Sequence, residues 1–407
     1  MLVFRSGEAS LGKRSITSRS LSQVSDASHQ IRKSDVRYLI DRSCLSPVSA
    51  QPVEMAFGNR LYTVKTSLDP DLHQYLTSRL DRVNSRYIGI VVMSPETGRV
   101  LAMTGFNKVN ADENPCLTAA FPAASLFKII TAAAAVEEKG YTHLSRFAFN
   151  GSKYTLYKRQ LTHANPAHTQ FITLQDAFAQ SVNPVFGKIG THYLDRNAVE
   201  KMGTAFGFNK DVEFELPWPT SHLTLTDDEY HLAEIASGFN RQTLISPLHG
   251  AMIAATVVNR GKPVEPTLID VIADDTRTCI YQTRPSFLPA AVSPKTAKVL
   301  ERLMVATVTS GTGRKTFRDQ ARDTTLSKLD IGGKTGSISN REKDTRFDWF
   351  VGFATEKQGT EKIVVAAMVG HGDYIGTRAT QYARMAIEYY YKDYFSKKTP
   401  NGKNLKG

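Results

Sequence analysis

Three short motifs in the chain combine serine with lysine or asparagine in ways that suit acyl transfer. In chain order they are Ser-x-x-Lys at Ser125–Lys128, Ser-x-Asn at Ser181–Asn183 and Lys-Thr-Gly at Lys334–Gly336. Serine is a weak nucleophile at neutral pH and needs a nearby base. Residues i and i+3 share a helix face, so Lys128 would lie one turn from Ser125. Its amine is a base only if burial or a neighbouring positive charge lowers its pKa, and Lys334 is a candidate source of that charge.

The Ser-x-x-Lys pattern alone does not single out Ser125, because Ser10–Lys13 repeats it. Ser10 lies in a Ser/Arg-rich segment, whereas Ser125 precedes an alanine-rich run that predicts a buried helix. Taken alone, Ser125 would be a helix N-cap followed by a surface lysine. The other two motifs, taken alone, would be a helix end and a strand end. All three in order, in suitable contexts, favour a serine nucleophile at Ser125.

The elements that must position these residues follow from hydrophobic periodicity. Strands are predicted at 61–64, 88–93, 99–104, 333–337, 349–354 and 363–369. Helices are predicted at 69–83, 125–139, 174–180, 185–194, 247–258, 294–308 and 377–391. Because Pro184 disfavours a helical conformation in the residue before it, we expect Asn183 to leave the helical path. A helix start at Ser125 would place backbone N–H groups near a developing oxyanion.

Strands at both ends of the chain with helices between them predict an α+β fold. We expect a mainly antiparallel β-sheet flanked by N- and C-terminal helices, together with an all-helical lobe. The predicted domain covers residues 59–395. Residues 1–58 are predicted to be a disordered tail, whose Ser/Arg-rich start also resembles an organelle transit peptide, and residues 396–407 a polar tail. Residues 205–245 are predicted as loops around short elements.

The charge of the chain indicates which classes of partner to expect. Lys and Arg number 51 against 39 Asp and Glu, and the net charge of +12 favours an anionic neighbourhood such as cell wall or membrane surface. No nucleic acid is expected, since the sequence contains no zinc-finger spacing, ribonucleoprotein motif or long Lys/Arg block. The three cysteines fit neither a disulfide framework nor a metal pattern, so no metal site is predicted. We also expect no membrane-spanning helix and no secretory signal.

With these motifs in this order, the chain resembles the penicillin-binding transpeptidase family of the β-lactamase-like superfamily. The resemblance covers roughly residues 60–392 and extends to Thr66–Asp69, the turn at Thr309–Gly313 and Asp348–Gly352. It implies a peptidoglycan D,D-transpeptidase that needs no cofactor and takes part in cell-wall synthesis and cell shape. Its partners would be stem peptides, β-lactams as covalent inhibitors and other cell-wall synthesis proteins. Its place would be the cell envelope, at the outer face of the cytoplasmic membrane.

The resemblance also implies a role for each motif residue. Ser125 would attack the penultimate D-Ala carbonyl and expel the terminal D-Ala, and an acceptor amine would then take the acyl group. Lys128 would be the base, and Ser181 would relay a proton to the leaving amine. The implied substrate-binding residues are Asn183, Lys334, Thr335, Gly336 and Ser337. Asn183 would bind the substrate amide or orient Lys128, and Lys334 with Thr335 would receive the terminal carboxylate. Gly336 would let the strand approach the substrate closely, and the N–H of Ser337 would form an oxyanion hole with that of Ser125.

Two alternative functions remain open. A D,D-carboxypeptidase or a β-lactamase would use water in place of the acceptor amine. Class A β-lactamases need a deacylating glutamate, and Glu213 and Glu215 lie in the right region but in an unrelated sequence context. Their middle motif also has Asp where this chain has Val182. The other alternative is a non-catalytic penicillin-binding sensor, against which the three intact motifs argue.

Overall fold

The computed structural model of the chain describes residues 31–40, 50–57, 60–162, 168–342 and 344–398. Most of the predicted N-terminal tail, including the second Ser-x-x-Lys pattern at Ser10–Lys13, lies outside the described residues. The strands are β1 (Val53–Phe57), β2 (Arg60–Thr66), β3 (Ser85–Met93), β4 (Val100–Asn107), β5 (Phe121–Pro122), β6 (Arg146–Phe149), β7 (Gln170–Thr173), β8 (Leu244–Ile245), β9 (Ile269–Asp274), β10 (Cys279–Gln282), β11 (Leu329–Ser339), β12 (Arg346–Glu356) and β13 (Lys362–His371).

The helices of the described residues come before, between and after groups of these strands. They are α1 (Lys33–Leu39), α2 (Pro70–Ser78), α3 (Lys128–Lys139), α4 (Lys158–Leu161), α5 (Leu174–Ala179), α6 (Asn183–Lys188), α7 (Arg196–Ala205), α8 (Glu229–Ser237), α9 (Pro247–Val258), α10 (Pro294–Thr309), α11 (Arg314–Phe317) and α12 (Ala379–Lys398). None of them combines the length and the apolar character needed to cross a bilayer.

The central sheet has five strands in the order β11-β12-β13-β3-β4, with every neighbouring pair antiparallel. Side chains alternate between its faces. Ile88, Ile90 and Val92 of β3 join an apolar cluster with α12, whereas Val91 and Met93 pack with the helical lobe. Strand β11 lies at the edge of this sheet, so one side of its backbone has no strand partner there.

The helical lobe surrounds α3. Every residue of α3 from Lys128 to Val136 is buried, and α7, α8 and α10 contact this helix. Gly140 ends α3 in a left-handed conformation, with φ of 67°, which glycine adopts without a steric penalty. The predicted α+β class, with a mainly antiparallel sheet, flanking helices and an all-helical lobe, is confirmed.

Parts of the N-terminal segment are folded, which differs from the predicted tail. Helix α1 packs on the domain because Val36 is buried, Lys33 Nζ donates to the Pro266 carbonyl at 2.8 Å, and the Arg37 guanidinium donates to the Phe214 carbonyl. Strand β1 pairs with β2 in a second sheet, of order β1-β2-β9-β10. The domain boundaries at 59 and 395 stay a prediction.

Four helices also differ from the sequence prediction. Helix α2 ends at Ser78 rather than near Val83, because the Asp81 carboxylate accepts from the backbone N–H of Asn84 and forms a turn. Val83 is therefore 82% exposed. Helices α7 and α8 were not predicted, and α8 lies in the range 205–245 expected to be loops. Helix α12 continues to Lys398, whose ammonium donates to Glu356 at 2.7 Å, and residues 399–407 lie outside the described residues.

Candidate active site

Ser125 lies in a 3-10 turn, Ala124–Phe127, that leads directly into α3. The chain just before the turn is fixed from two sides. Strand β5 pairs with β8, and the Trp349 indole N–H donates to the Pro122 carbonyl at 2.9 Å. Ala124 has φ of 48°, a left-handed conformation that is uncommon for a residue with a Cβ. The helix predicted from Ser125 thus begins as a 3-10 turn and becomes α-helical at Lys128.

The Lys128 side chain is completely buried, and its nitrogen contacts three oxygen atoms. Nζ donates to Ser125 Oγ at 2.9 Å, to Asn183 Oδ1 at 2.7 Å and to the backbone carbonyl of Ser237. A charged lysine has three protons to donate, so these contacts use all of them. A neutral Lys128 would instead offer a lone pair to the Ser125 hydroxyl. The i,i+3 pairing predicted from the sequence is therefore present.

The second motif lies at the break between α5 and α6. Ser181 has φ of 58°, Val182 is extended, and Asn183 is the first residue of α6. The prediction that Asn183 leaves the helical path is wrong, because a proline in the first turn of a helix lacks only an N–H that would have no partner there. Asn183 is nearly fully buried and bridges two segments, since Oδ1 accepts from Lys128 and Nδ2 donates to the Tyr154 carbonyl at 3.0 Å.

The third motif lies on the edge strand β11. Lys334 is fully buried, and its Nζ donates to Ser181 Oγ at 3.0 Å and to the Thr335 carbonyl at 2.9 Å. Thr335 Oγ1 lies 2.5 Å from Thr312 Oγ1. A Cβ at Gly336 would lie 3.3 Å from the Ala124 Cβ, so glycine lets the strand lie close beside the turn that carries Ser125.

Ser337 lies apart from the lysines. It is exposed on β11, and its Oγ accepts from Arg346 Nε at 3.0 Å. Lys128 is thus hydrogen-bonded to Ser125 and Asn183, and Lys334 to Ser181, and the segment Ser181–Asn183 brings the two groups together in one cluster. Thr335, Gly336 and Ser337 follow along the neighbouring strand edge.

The two lysines lie in surroundings that disfavour their charge. Burial lowers the pKa of Lys334 to about 7. Burial, followed by repulsion from Lys334, lowers the pKa of Lys128 well below its ordinary value. Two aromatic rings oppose this effect in part, since Lys128 Nζ lies 5.6 Å from the Phe186 ring centroid and Lys334 Nζ lies 5.5 Å from that of Phe178. The condition under which Lys128 can accept a proton is therefore met.

Residues 88–388 match the family model described as the penicillin binding protein transpeptidase domain, which takes up well over half of the chain. The chain belongs to the penicillin-binding protein transpeptidase family. The peptidoglycan D,D-transpeptidase PbpA of Mycolicibacterium smegmatis is 27% identical over 325 residues, covering 70% of this chain and 62% of that protein. Stage V sporulation protein D of Bacillus subtilis is 23% identical over 334 residues, covering 74% of this chain and 49% of that protein. The chain thus spans less than two thirds of the length of these relatives.

Solved penicillin-binding structures share the fold. The D,D-transpeptidase domain of a peptidoglycan glycosyltransferase from Eggerthella lenta superposes with a TM-score of 0.68 at 24% identity, covering 81% of this chain and 83% of that one. An imipenem acyl-enzyme complex of penicillin-binding protein A from M. tuberculosis superposes with a TM-score of 0.66 at 22% identity, covering 80% and 78%. At these identities the likeness establishes the fold.

Two groups near this cluster were not predicted as site residues. One is the Ser237 carbonyl at the end of α8, which accepts from Lys128. The other is Thr312, which contacts Thr335 and lies in the turn already noted as family-like. The one sequence signal for Ser237 is the glycine after it. A Cβ at Gly238 would lie 1.9 Å from the Ala124 carbonyl oxygen, so glycine is needed where α8 meets the Ser125 turn.

Neither glutamate considered for a β-lactamase belongs to the cluster. Glu213 is exposed. The Glu215 carboxylate is fully buried, where it accepts from the Thr267 hydroxyl, from the Leu268 N–H at 3.0 Å and from the Tyr281 hydroxyl at 3.2 Å. Burial raises the pKa of Glu215, and these bonds give it a structural role beside the second sheet.

Proposed function

We propose that this chain is a peptidoglycan D,D-transpeptidase, a serine-type acyl-transferase that cross-links cell-wall stem peptides through an acyl-enzyme on Ser125. The observation that carries the proposal is the position of Lys128 Nζ, 2.9 Å from Ser125 Oγ and 2.7 Å from Asn183 Oδ1 inside the protein. The relatives named D,D-transpeptidases and the family assignment support it.

Acylation begins with neutral Lys128. Its lone pair takes the hydroxyl proton of Ser125 while Oγ bonds to the penultimate D-Ala carbonyl carbon. The carbonyl oxygen becomes an oxyanion, which the backbone N–H groups of Ser125 and Ser337 stabilise. The edge position of β11 leaves backbone groups free for an extended substrate, and Gly336 keeps the strand close to the Ser125 turn.

Collapse of the intermediate breaks the bond between carbonyl carbon and amide nitrogen. The departing nitrogen of the terminal D-Ala takes a proton from Ser181 Oγ, and Ser181 recovers a proton from Lys334, 3.0 Å away. Because the pKa of Lys334 is about 7, its ammonium gives up that proton readily near neutral pH. The acceptor amine then attacks the carbonyl carbon of the Ser125 ester and gives a proton to Ser181, which passes one back to Lys334. The bond from that carbon to Ser125 Oγ breaks, and Oγ takes back the proton held by Lys128.

Substrate binding and location complete the proposal. Asn183 binds the substrate amide or orients Lys128, and Lys334 and Thr335 receive the terminal carboxylate of the donor. β-Lactams are covalent inhibitors in this scheme, because they acylate Ser125 and the resulting ester breaks down slowly. The enzyme would act in the cell envelope at the outer face of the cytoplasmic membrane, with other cell-wall synthesis proteins as partners.

Labelling with a fluorescent penicillin tests the nucleophile. We expect a covalent adduct on the wild-type chain that is lost in Ser125→Ala. Ser10→Ala is the matched control, because it removes the serine of the other Ser-x-x-Lys pattern and should keep full labelling. An adduct that survives Ser125→Ala, or a wild-type chain that takes no label, would overturn the proposal.

A second measurement separates transfer from hydrolysis. A donor peptide ending in D-Ala-D-Ala is incubated with and without a D-amino acid as acceptor amine, and the products are separated by mass. We expect release of D-alanine and formation of the exchanged peptide. If D-alanine is released and the only peptide product is the hydrolysed donor, the enzyme is a D,D-carboxypeptidase. Fast turnover of a chromogenic cephalosporin would indicate a β-lactamase.

A further inference from the structure

Arg346, the first residue of β12, lies beside the end of the third motif. It pairs in register with Ser339 of β11, and its Nε donates to Ser337 Oγ at 3.0 Å. The side chain is exposed, and no Asp or Glu of the described residues forms an ion pair with it. The nearby carboxylate of Asp344 is engaged by Arg86, whose Nη1 lies 2.9 Å from Oδ2. Arg346 thus carries an uncompensated charge at the rim of the candidate site.

Three hydroxyls share this rim with the guanidinium. Thr335 and Ser337 are two residues apart on β11, so their side chains leave the strand on the same face. Thr312 Oγ1 lies 2.5 Å from Thr335 Oγ1, which places a third hydroxyl there. Asp348 is opposite Ser337 in register, but it is nearly buried and accepts from the Ala379 N–H at 3.2 Å, so its charge is held beneath the surface.

Lys334 is poorly placed to supply the exposed charge on this rim. Its Nζ is buried and engaged by Ser181 Oγ and by the Thr335 carbonyl. Burial also lowers its pKa to about 7, so part of the population is neutral near physiological pH. An arginine guanidinium keeps its charge at every relevant pH and binds carboxylates through two parallel N–H groups. With Nε committed to Ser337, the two Nη atoms of Arg346 have no partner among the described residues.

We propose that Arg346 is a substrate-binding residue that pairs with the terminal carboxylate of the acyl donor, with the hydroxyls of Thr335 and Ser337 as additional donors. This inference rests on the proposed function and deepens it, because it makes Arg346 the permanently charged residue that selects a donor with a free carboxylate. In this arrangement Arg346 adds a permanent charge to the carboxylate site proposed for Lys334 and Thr335, and Lys334 also supplies the proton relay through Ser181.

The test compares a penicillin with its methyl ester, which lacks the carboxylate. Second-order rate constants for acylation of Ser125 are measured for wild type, Arg346→Gln and Arg346→Lys. We expect Arg346→Gln to slow acylation by the acid about 10- to 100-fold, the range expected for loss of a charge-assisted pair, and to leave the rate with the ester unchanged. Arg346→Lys should restore part of the rate with the acid, because it keeps the charge without the paired donors.

Arg341→Gln is the matched control, since Arg341 is an exposed arginine between β11 and β12 and should leave both rates unchanged. Equal slowing of acid and ester by Arg346→Gln, or no slowing of either, would overturn the assignment of Arg346 while the transpeptidase proposal stands. If the wild-type chain reacts with neither compound, the proposed function fails, and this inference fails with it.

Discussion

The Nζ atom of Lys128 lies 2.9 Å from the Oγ atom of Ser125 at a position without solvent exposure. Lys128→Arg tests whether this nitrogen is the base. Arginine offers the donors of a protonated lysine, but its guanidinium stays charged and therefore cannot accept the Ser125 proton. We expect acylation by a penicillin to slow by at least about 100-fold, as for loss of a general base. Lys139→Arg, at the exposed end of α3, is the control, and a wild-type rate in Lys128→Arg would exclude Lys128 as the base.

The charge of Lys334 should set the pH at which Lys128 becomes active. Repulsion from Lys334 contributes to lowering the pKa of Lys128, so removing it in Lys334→Met raises that pKa. The rising limb of the acylation rate against pH should therefore move to higher pH, whatever the loss in maximal rate. Lys188→Met is the control, because Lys188 is also buried but donates to the Ala148 carbonyl away from the cluster. If the rising limb of the acylation rate stays at the same pH in Lys334→Met, the charge of Lys334 does not affect the pKa of Lys128.

The two phenylalanines below the lysines should favour the charged amines. Phe178 and Phe186 pack with ring centroids 6.2 Å apart, and each ring lies under one lysine nitrogen. Phe186→Leu keeps an apolar side chain but removes the attraction of the ring for the Lys128 ammonium. A cation–π contact of about 1 kcal/mol corresponds to about 0.7 of a pH unit, so the rising limb should move to lower pH by about that amount.

The control for this variant is Phe147→Leu, a buried phenylalanine that packs against Tyr141 instead of a lysine. It should cost stability, as loss of a core ring does, and leave the pH profile in place. If Phe147→Leu and Phe186→Leu shift the profile equally, the rings act through general packing and not through the ammonium groups.

Local spacing was enough to predict the Ser125–Lys128 pair, because both residues belong to one helix. It also predicted Lys334 and Gly336 on a strand, where alternation puts them on one face. The conformation around Asn183 was not predictable in the same way. The left-handed turn falls at Ser181, where the side chain hydroxyl has to reach Lys334, 153 residues away. Tertiary contacts therefore decide where the helix breaks, and the local effect of Pro184 does not.

The Ser237 carbonyl could not be predicted, for a related reason. Every residue has a carbonyl, and the glycine after Ser237 indicates only that another segment approaches α8 closely, so the sequence does not show that this carbonyl contacts Lys128, 109 residues away. The contact depends on how α8 packs beside α3, and α8 itself was expected to be loop. Apolar runs predicted the strands of the central sheet, but their order, with β13 beside β3, is a long-range property.

Gly238 should be needed for the geometry of the Ser125 turn. It has φ of 65°, and a Cβ there would lie 1.9 Å from the Ala124 carbonyl oxygen and 2.9 Å from the Ser125 nitrogen. Gly238→Ala therefore has to displace the turn, and we expect acylation to slow at least about tenfold together with a loss of stability. Gly140→Ala is a close control, because Gly140 also ends a helix with φ of 67° but has nothing within 4 Å of a Cβ.

Comparison of these two alanine variants isolates the clash from the cost of a left-handed alanine. Both should lose about 1 kcal/mol of stability from backbone conformation, and Gly238→Ala should lose more. Thermal unfolding and the penicillin acylation rate measure the two effects separately. Equal acylation rates in Gly238→Ala and the wild type would mean that the turn tolerates displacement.

His249 should make the fold sensitive to acid. It is fully buried in α9, Nε2 pairs with the Phe206 carbonyl at 2.8 Å, and burial lowers its pKa to about 4. Between that value and the ordinary 6.5, the unfolded chain binds a proton at His249 that the folded chain does not. Stability therefore falls as the pH decreases through this window, by about 3 kcal/mol from this one group.

Urea unfolding at pH 7.5 and pH 4.5 measures this loss, and His249→Gln separates it from the protonation of carboxylates. Glutamine does not titrate and still offers an N–H to the Phe206 carbonyl, so its stability should change less between the two pH values. His168→Gln, at an exposed position, should behave like the wild type. Protonation of a fully buried imidazole destabilises the folded protein. If His249→Gln and the wild type nevertheless show the same pH dependence, the acid sensitivity comes from other groups.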